Sequence, residues 1–204
     1  MIISASENDF EAAPAGVHVA CLFRITDLGT QIGDYQGKPT KSRKLMFTWE
    51  LLGDERMKDG KPFVISRRLT ASLSEKAALR AMIGQWRGKA LTDDEVKAGF
   101  DVKKLLGAYC LLNVTETERD GKTYMNIASV MPLPKGMPQP PGVNPLQLFD
   151  LAAPDWNIFD TLSKRTQDAI AASPEYQAAQ GWGQPEHAPT TPANAEAFGD
   201  DLPF

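Results

Sequence analysis

The apolar residues between Gly16 and Pro132 change period along the chain, and that change restricts the fold more than any other feature. Val17, Val19, Cys21, Phe23 and Ile25 alternate with His18, Ala20, Arg24 and Thr26. Leu45, Phe47, Trp49 and Leu51 alternate in the same way, and strand-like runs follow over Pro62–Thr70, Ala108–Thr117 and Lys122–Met131. A period of two marks a half-buried strand. Between the third and fourth runs the spacing turns helical, with Leu79, Met82, Ile83 and Trp86 ahead of Gly88. Ser72-Leu73-Ser74-Glu75 before this run and Thr92-Asp93-Asp94-Glu95 after it both have the form of a capping box. Asp59-Gly60 and Asp120-Gly121 supply tight turns, which join the second strand to the third and the fourth to the fifth as hairpins.

Five strands with one helix between the third and fourth is the element order of an OB-fold, a small closed Greek-key barrel. The sequence therefore predicts a mainly β protein with that barrel over residues 16–136. Residues 1–15 are small and acidic and read as a flexible lead-in. Residues 137–145 hold four prolines and read as a linker, and 146–172 carry a modest helical pattern. Residues 173–204 are rich in Ala, Gln, Pro, Thr and Glu and read as a disordered acidic tail.

Charge is distributed unevenly under a net of −4. Gly16–Gly136 holds 20 Lys and Arg against 14 Asp and Glu, whereas Met137–Phe204 holds two bases and nine acids. A basic body attracts polyanions, and an acidic tail repels or mimics them. The basic residues gather where an OB-fold binds oligonucleotides, on strands two and three and the loops flanking them. The glycine-spaced segment Gly29–Arg43, expected to be a long loop, carries Tyr35, Lys38, Lys41 and Arg43 and runs into Lys44. Lys61, Arg67 and Arg68 belong to the third strand and its approach, and Lys122 and Tyr124 to the last hairpin. These bases form a candidate track for phosphates, and Tyr35 and Tyr124 are candidate platforms for bases. Trp49 is a further stacking candidate, although sharing a face with Leu45, Phe47 and Leu51 favours the core.

Several chemistries find no support. Gly33–Thr40 resembles a phosphate-binding P-loop only faintly, because its glycine spacing is one residue short and Pro39 stands where a Ser or Thr would lead into a helix. Asp93, Asp94, Glu95 and Asp101 lie at helix starts, where the helix dipole alone favours acids. Cys21 and Cys110 with His18 and His187 make neither a disulfide framework nor a four-ligand zinc site. The expectation is a cytoplasmic protein with no catalytic residues, metal, cofactor or membrane span.

Asp27-Leu28-Gly29-Thr30-Gln31, Arg43-Lys44, Trp49-Glu50-Leu51, Leu105-Leu106-Gly107 and Pro132-Leu133-Pro134-Lys135-Gly136 give the body a resemblance to single-stranded DNA-binding proteins of bacteriophages and mobile elements. The terminus Asp200-Asp201-Leu202-Pro203-Phe204 is similar to the acidic tip of bacterial single-stranded DNA-binding proteins, with Leu202 where Ile is more usual. The resemblance implies single-stranded DNA as ligand and a tip that docks onto replication, recombination and repair proteins, in a host cytoplasm. A protein-binding adaptor and a strand-annealing or recombination mediator stay open as alternatives, as does a homo-oligomer.

Overall fold

The computed structural model describes residues 11–35 and 37–181. The protein is mainly β. Strands β1 (Gly16–Tyr35), β2 (Lys38–Leu51), β3 (Val64–Thr70), β4 (Tyr109–Arg119) and β5 (Lys122–Pro132) form an antiparallel sheet in the order β3-β2-β1-β4-β5. Between β3 and β4 lie α1 (Ala78–Arg87), α2 (Asp93–Ala98) and a 3₁₀ turn, Val102–Leu105. After β5 come a short strand β6 (Gln147–Phe149) and helices α3 (Trp156–Asp160), α4 (Lys164–Ala171) and α5 (Pro174–Gly181).

β1 organises the sheet because it is long and twice bulged. Leu22 pairs with Trp49 but Arg24 pairs with Thr48, so Phe23 is an extra residue and alternation reverses there. This corrects the expected inner face. Ala20, Leu22 and Ile25 enter the main core, whereas Val17 is 58% exposed and Phe23 is buried elsewhere. The bulge also divides one edge of β1 between two partners. β4 pairs with Gly16–Cys21, and β6 pairs in parallel with Arg24–Thr26, where β4 has left that edge.

The second bulge spans Leu28 and Gly29, between the pairs Asp27–Leu45 and Thr30–Arg43. Gly29 has φ +68°, and a Cβ there would lie 2.4 Å from Ser173 Oγ, so both conformation and space require glycine. Beyond it, Gly29–Arg43 is not a loop. β1 and β2 stay paired to Tyr35 and Lys38, forming a projecting hairpin arm. The β4–β5 hairpin turns at Asp120 and Gly121, both with positive φ as a two-residue hairpin turn requires. Since Gly16 pairs with Val114 and Tyr35 with Lys38, the two hairpin tips lie toward opposite ends of β1.

Leu22, Phe47, Trp49, Leu112 and Val130 build the main core against Leu79, Met82, Ile83 and Trp86 of α1. Burying each such side chain contributes roughly 1.5–3 kcal/mol. The α1 face is as the spacing predicts, but the helix begins at Ala78 with Ala77 as an N-cap that lends no side-chain bond. Ser72 and Ser74 instead bond each other in the preceding turn. The Thr92–Glu95 capping box does form.

A second core lies on the other face of β1 and β2. Leu28 and Met46 meet Phe149, Leu151, Leu162 and Ile170, with Ile158, Phe159 and Tyr176 packed around them. Residues 137–145, expected as a linker, are held against β2 by Glu50. Its fully buried carboxylate accepts from Val143 N, Asn144 N and Asn144 Nδ2 at 2.7–3.2 Å. A Cβ on Gly142 would lie 2.4 Å from Glu50 Oε1. At its far end the extension is clamped by Glu175, which accepts from Thr30 N (2.8 Å) and Thr30 Oγ1 (2.5 Å). None of the helices in the described residues is long and apolar enough to cross a membrane.

Candidate nucleic-acid interface

Register decides which bases share a surface. Lys44, Met46, Thr48 and Glu50 of β2 stand opposite Thr70, Arg68, Ser66 and Val64 of β3, forming the face directed away from the main core. On β2 this outer face is closed: Met46, Thr48 and Glu50 are all buried. On β3 it is open, with Val64, Ser66 and Arg68 exposed. The C-terminal extension therefore covers one strand of the expected binding face and leaves its neighbour free.

The sequence-predicted bases divide accordingly. Lys38 and Lys44 are on the outer side of β2, and Arg68 faces the same way from β3. Lys38 is exposed on the arm, while Lys44 is half-buried with Nζ 2.7 Å from Thr70 Oγ1. Lys41 and Arg43 occupy the alternate face of β2. Arg43 is pinned at the foot of the arm, its Nε and Nη2 both donating to the Asp27 carboxylate. Those bonds raise the Arg43 pKa above the ordinary guanidinium value, against the pull of burial. Arg67 is half-buried opposite Phe47 on the core side, so Arg67 and Arg68 do not act on one surface. Lys61 is engaged with Asp59 at 2.7 Å.

Lys122 and Tyr124 are exposed on the β4–β5 hairpin, toward the Gly16 end of β1, whereas the arm is at its Tyr35 end. Tyr35 lies at the arm tip, its backbone opposite Lys38. Trp49 offers no stacking surface. It is fully buried, with Phe47 and Trp86 at centroid distances of 6.0 and 5.9 Å. Asp200, Asp201, Leu202, Pro203 and Phe204 lie outside the described residues.

Two residues that the sequence pattern does not single out join the site through the extension. Burial lowers the Arg68 pKa, and Arg165 of α4 comes close enough to lower it further. Neither guanidinium has an ion-pair partner among the described residues. A guanidinium within electrostatic range of a second one makes this part of the surface a candidate site for an anion. The second is Trp156, 36% exposed at the margin of an aromatic cluster with Phe149, Phe159 and Tyr176. No family model and no curated protein matches this chain, so the reading of the site rests on its own geometry.

Other chemistry is sparse. No group of three or more His, Cys, Asp or Glu able to hold a metal occurs among the described residues. Both thiols are buried, which raises the pKa of Cys21 and Cys110 and keeps them protonated. Glu95 is drawn down to about 2, first by its bond to Arg87 and then by the capping interaction with Thr92, which marks it as a structural carboxylate.

Proposed function

We propose that the protein binds single-stranded DNA without sequence preference and without catalysing a reaction on it. The observation that carries this reading is a set of cations on the outer side of the sheet that have no ion-pair partner among the described residues, Lys38 on the arm and Arg68 on the open face of β3. The fold reading is an OB-type barrel. It is supported by the sheet order β3-β2-β1-β4-β5, by Cα approaches within 8 Å between the end strands β3 and β5, and by a helix between β3 and β4 that packs on both. In such a barrel the open face of β3 and the two hairpins form the path of the strand. Phosphates would bind the cations, and exposed Tyr124 would offer its ring to a base. The chain would act in phage DNA replication, recombination or repair, and Asp200–Phe204 would recruit the proteins that work on the coated strand.

The test is titration with fluorescent oligothymidine across a range of salt, with a duplex of equal length as competitor. Preference for the single strand and a linear fall of log K with log salt are the expected results. Absence of binding at low salt, with residues 196–204 removed as well as present, overturns the reading in favour of a protein-binding adaptor.

A further inference from the structure

Arg43 also borders a cavity of about 600 Å³ on the arm side of the extension. Its other walls are mainly apolar: Leu151, Pro154, Trp156, Ala178 and Ala179. The one carboxylate on its lining, Glu175, is occupied by the two bonds from Thr30. The Asp27 pair holds the Arg43 guanidinium in a set pose, and its side chain remains 44% exposed. Trp156 is likewise held by its neighbours, with Phe159 and Tyr176 edge-on at 5.7 and 5.6 Å. A ring and a guanidinium, each fixed by other contacts and each with free surface, border one apolar cavity. That combination suits a flat, neutral, aromatic guest.

We infer that this cavity takes one nucleobase of the bound single strand, stacked on Trp156 beside Arg43. The inference rests on the single-strand reading above and adds a subsite in the extension, away from the face of β3. Lys41 is two residues from Arg43 on the same face of β2, so a cation stands ready for the phosphate next to that base. Charge selects the base over an anionic guest. Asp27, Glu175 and Asp150 all act on Arg43 electrostatically, so its positive charge is already balanced, and a phosphate or the acidic C-terminal tip gains little there. A neutral base gains the stacking surface without meeting that repulsion.

The experiment compares the full-length protein with Trp156→Ala and Ala178→Gln on two ligands of equal length, oligothymidine and an abasic deoxyribose-phosphate chain. Ala178→Gln extends an exposed side chain on the cavity wall while keeping the aromatic cluster, so it reports even if Trp156→Ala loosens the extension. A stacked base lost corresponds to about tenfold weaker oligothymidine binding. Abasic binding should stay unchanged in both variants. Oligothymidine affinity within about twofold of wild type in both variants, or an equal fall for both ligands, overturns the subsite and leaves the single-strand reading standing. Failure of the wild-type protein to bind either ligand overturns both. Quenching by a free Asp-Asp-Leu-Pro-Phe peptide that disappears in Trp156→Phe, with none from oligothymidine, assigns the cavity to the chain's own tip and overturns the base site.

Discussion

β2 and β3 are neighbours in one sheet and share a register, yet their outer faces have different fates. On β2 the row Met46, Thr48, Glu50 is buried beneath the extension, and on β3 the row Val64, Ser66, Arg68 faces solvent. The difference arises from what each strand offers the segment after β5. β2 presents a methionine to an apolar cluster and a carboxylate to backbone N–H donors. β3 presents a hydroxyl and a guanidinium, which lose more by dehydration than they regain. The extension thus covers the outer face of β2, leaves that of β3 open, and brings Arg165 within electrostatic range of Arg68.

Glu50 holds that cover in place, so removing it should have the largest effect. Glu50→Ala leaves Val143 N, Asn144 N and Asn144 Nδ2 without their acceptor and should cost about 2–4 kcal/mol in denaturant unfolding. It should also expose residues 137–145 to proteolysis. If the segment remains protected and the midpoint does not move, the apolar contacts of the second core hold the cover without Glu50.

Charge reversal on the open strand comes next. Arg68→Glu with Arg165→Glu should weaken oligothymidine binding by roughly tenfold or more and lower the salt slope by about two, one for each phosphate contact. The fold should persist, because neither guanidinium has a partner among the described residues to lose. A salt slope equal to wild type would move the track away from β3.

Part of this arrangement is legible in the amino-acid sequence. The faces of β2 and α1 follow directly from Phe47, Trp49 and Leu51 and from Leu79, Met82, Ile83 and Trp86, because regular spacing maps onto regular geometry. The face of β1 does not follow, because an extra residue at Phe23 reverses alternation without altering composition. Gly29–Arg43 has the composition of a loop because its glycines and Pro39 mask a hairpin whose pairing is a property of two segments together. The cover is invisible in the sequence for a related reason. Glu50 meets Val143 and Asn144 across more than ninety residues, and nothing local to Trp156 indicates that α5 will close a cavity against it. Pairs of distant segments decide which surface stays open, and a one-dimensional pattern carries little of that.

At the far end of the extension the clamp should respond to pH. Burial pushes the Glu175 pKa up, but the bonds from Thr30 outweigh it and, with Arg43 acting in the same sense, hold the carboxyl below its ordinary 4.5. A carboxylate depressed on folding stabilises above its unfolded value and loses that contribution as pH falls through the folded one. The docking of α5 should therefore be complete at neutral pH and weaken below about pH 4.5, seen as a change in Trp156 emission because Tyr176 of α5 packs edge-on against that ring. Glu175→Gln should abolish this acid-dependent step, and a step that persists in the variant would belong to another group.

The smallest effect separates free cations from occupied ones. Lys41 is exposed and has no ion-pair partner among the described residues, whereas Lys61 is bound to Asp59 and its pKa is raised by that bond. Both read alike in the sequence as lysines flanking the expected face. Recruiting Lys61 to a phosphate would mean breaking its existing pair or bringing Asp59 toward the polyanion with it. Lys41→Ala should thus reduce the salt slope of oligothymidine binding by about one, and Lys61→Ala should leave it unchanged. Equal slopes in the two variants would mean that position along the sheet, and not the state of each cation's partner, determines which lysines meet the strand.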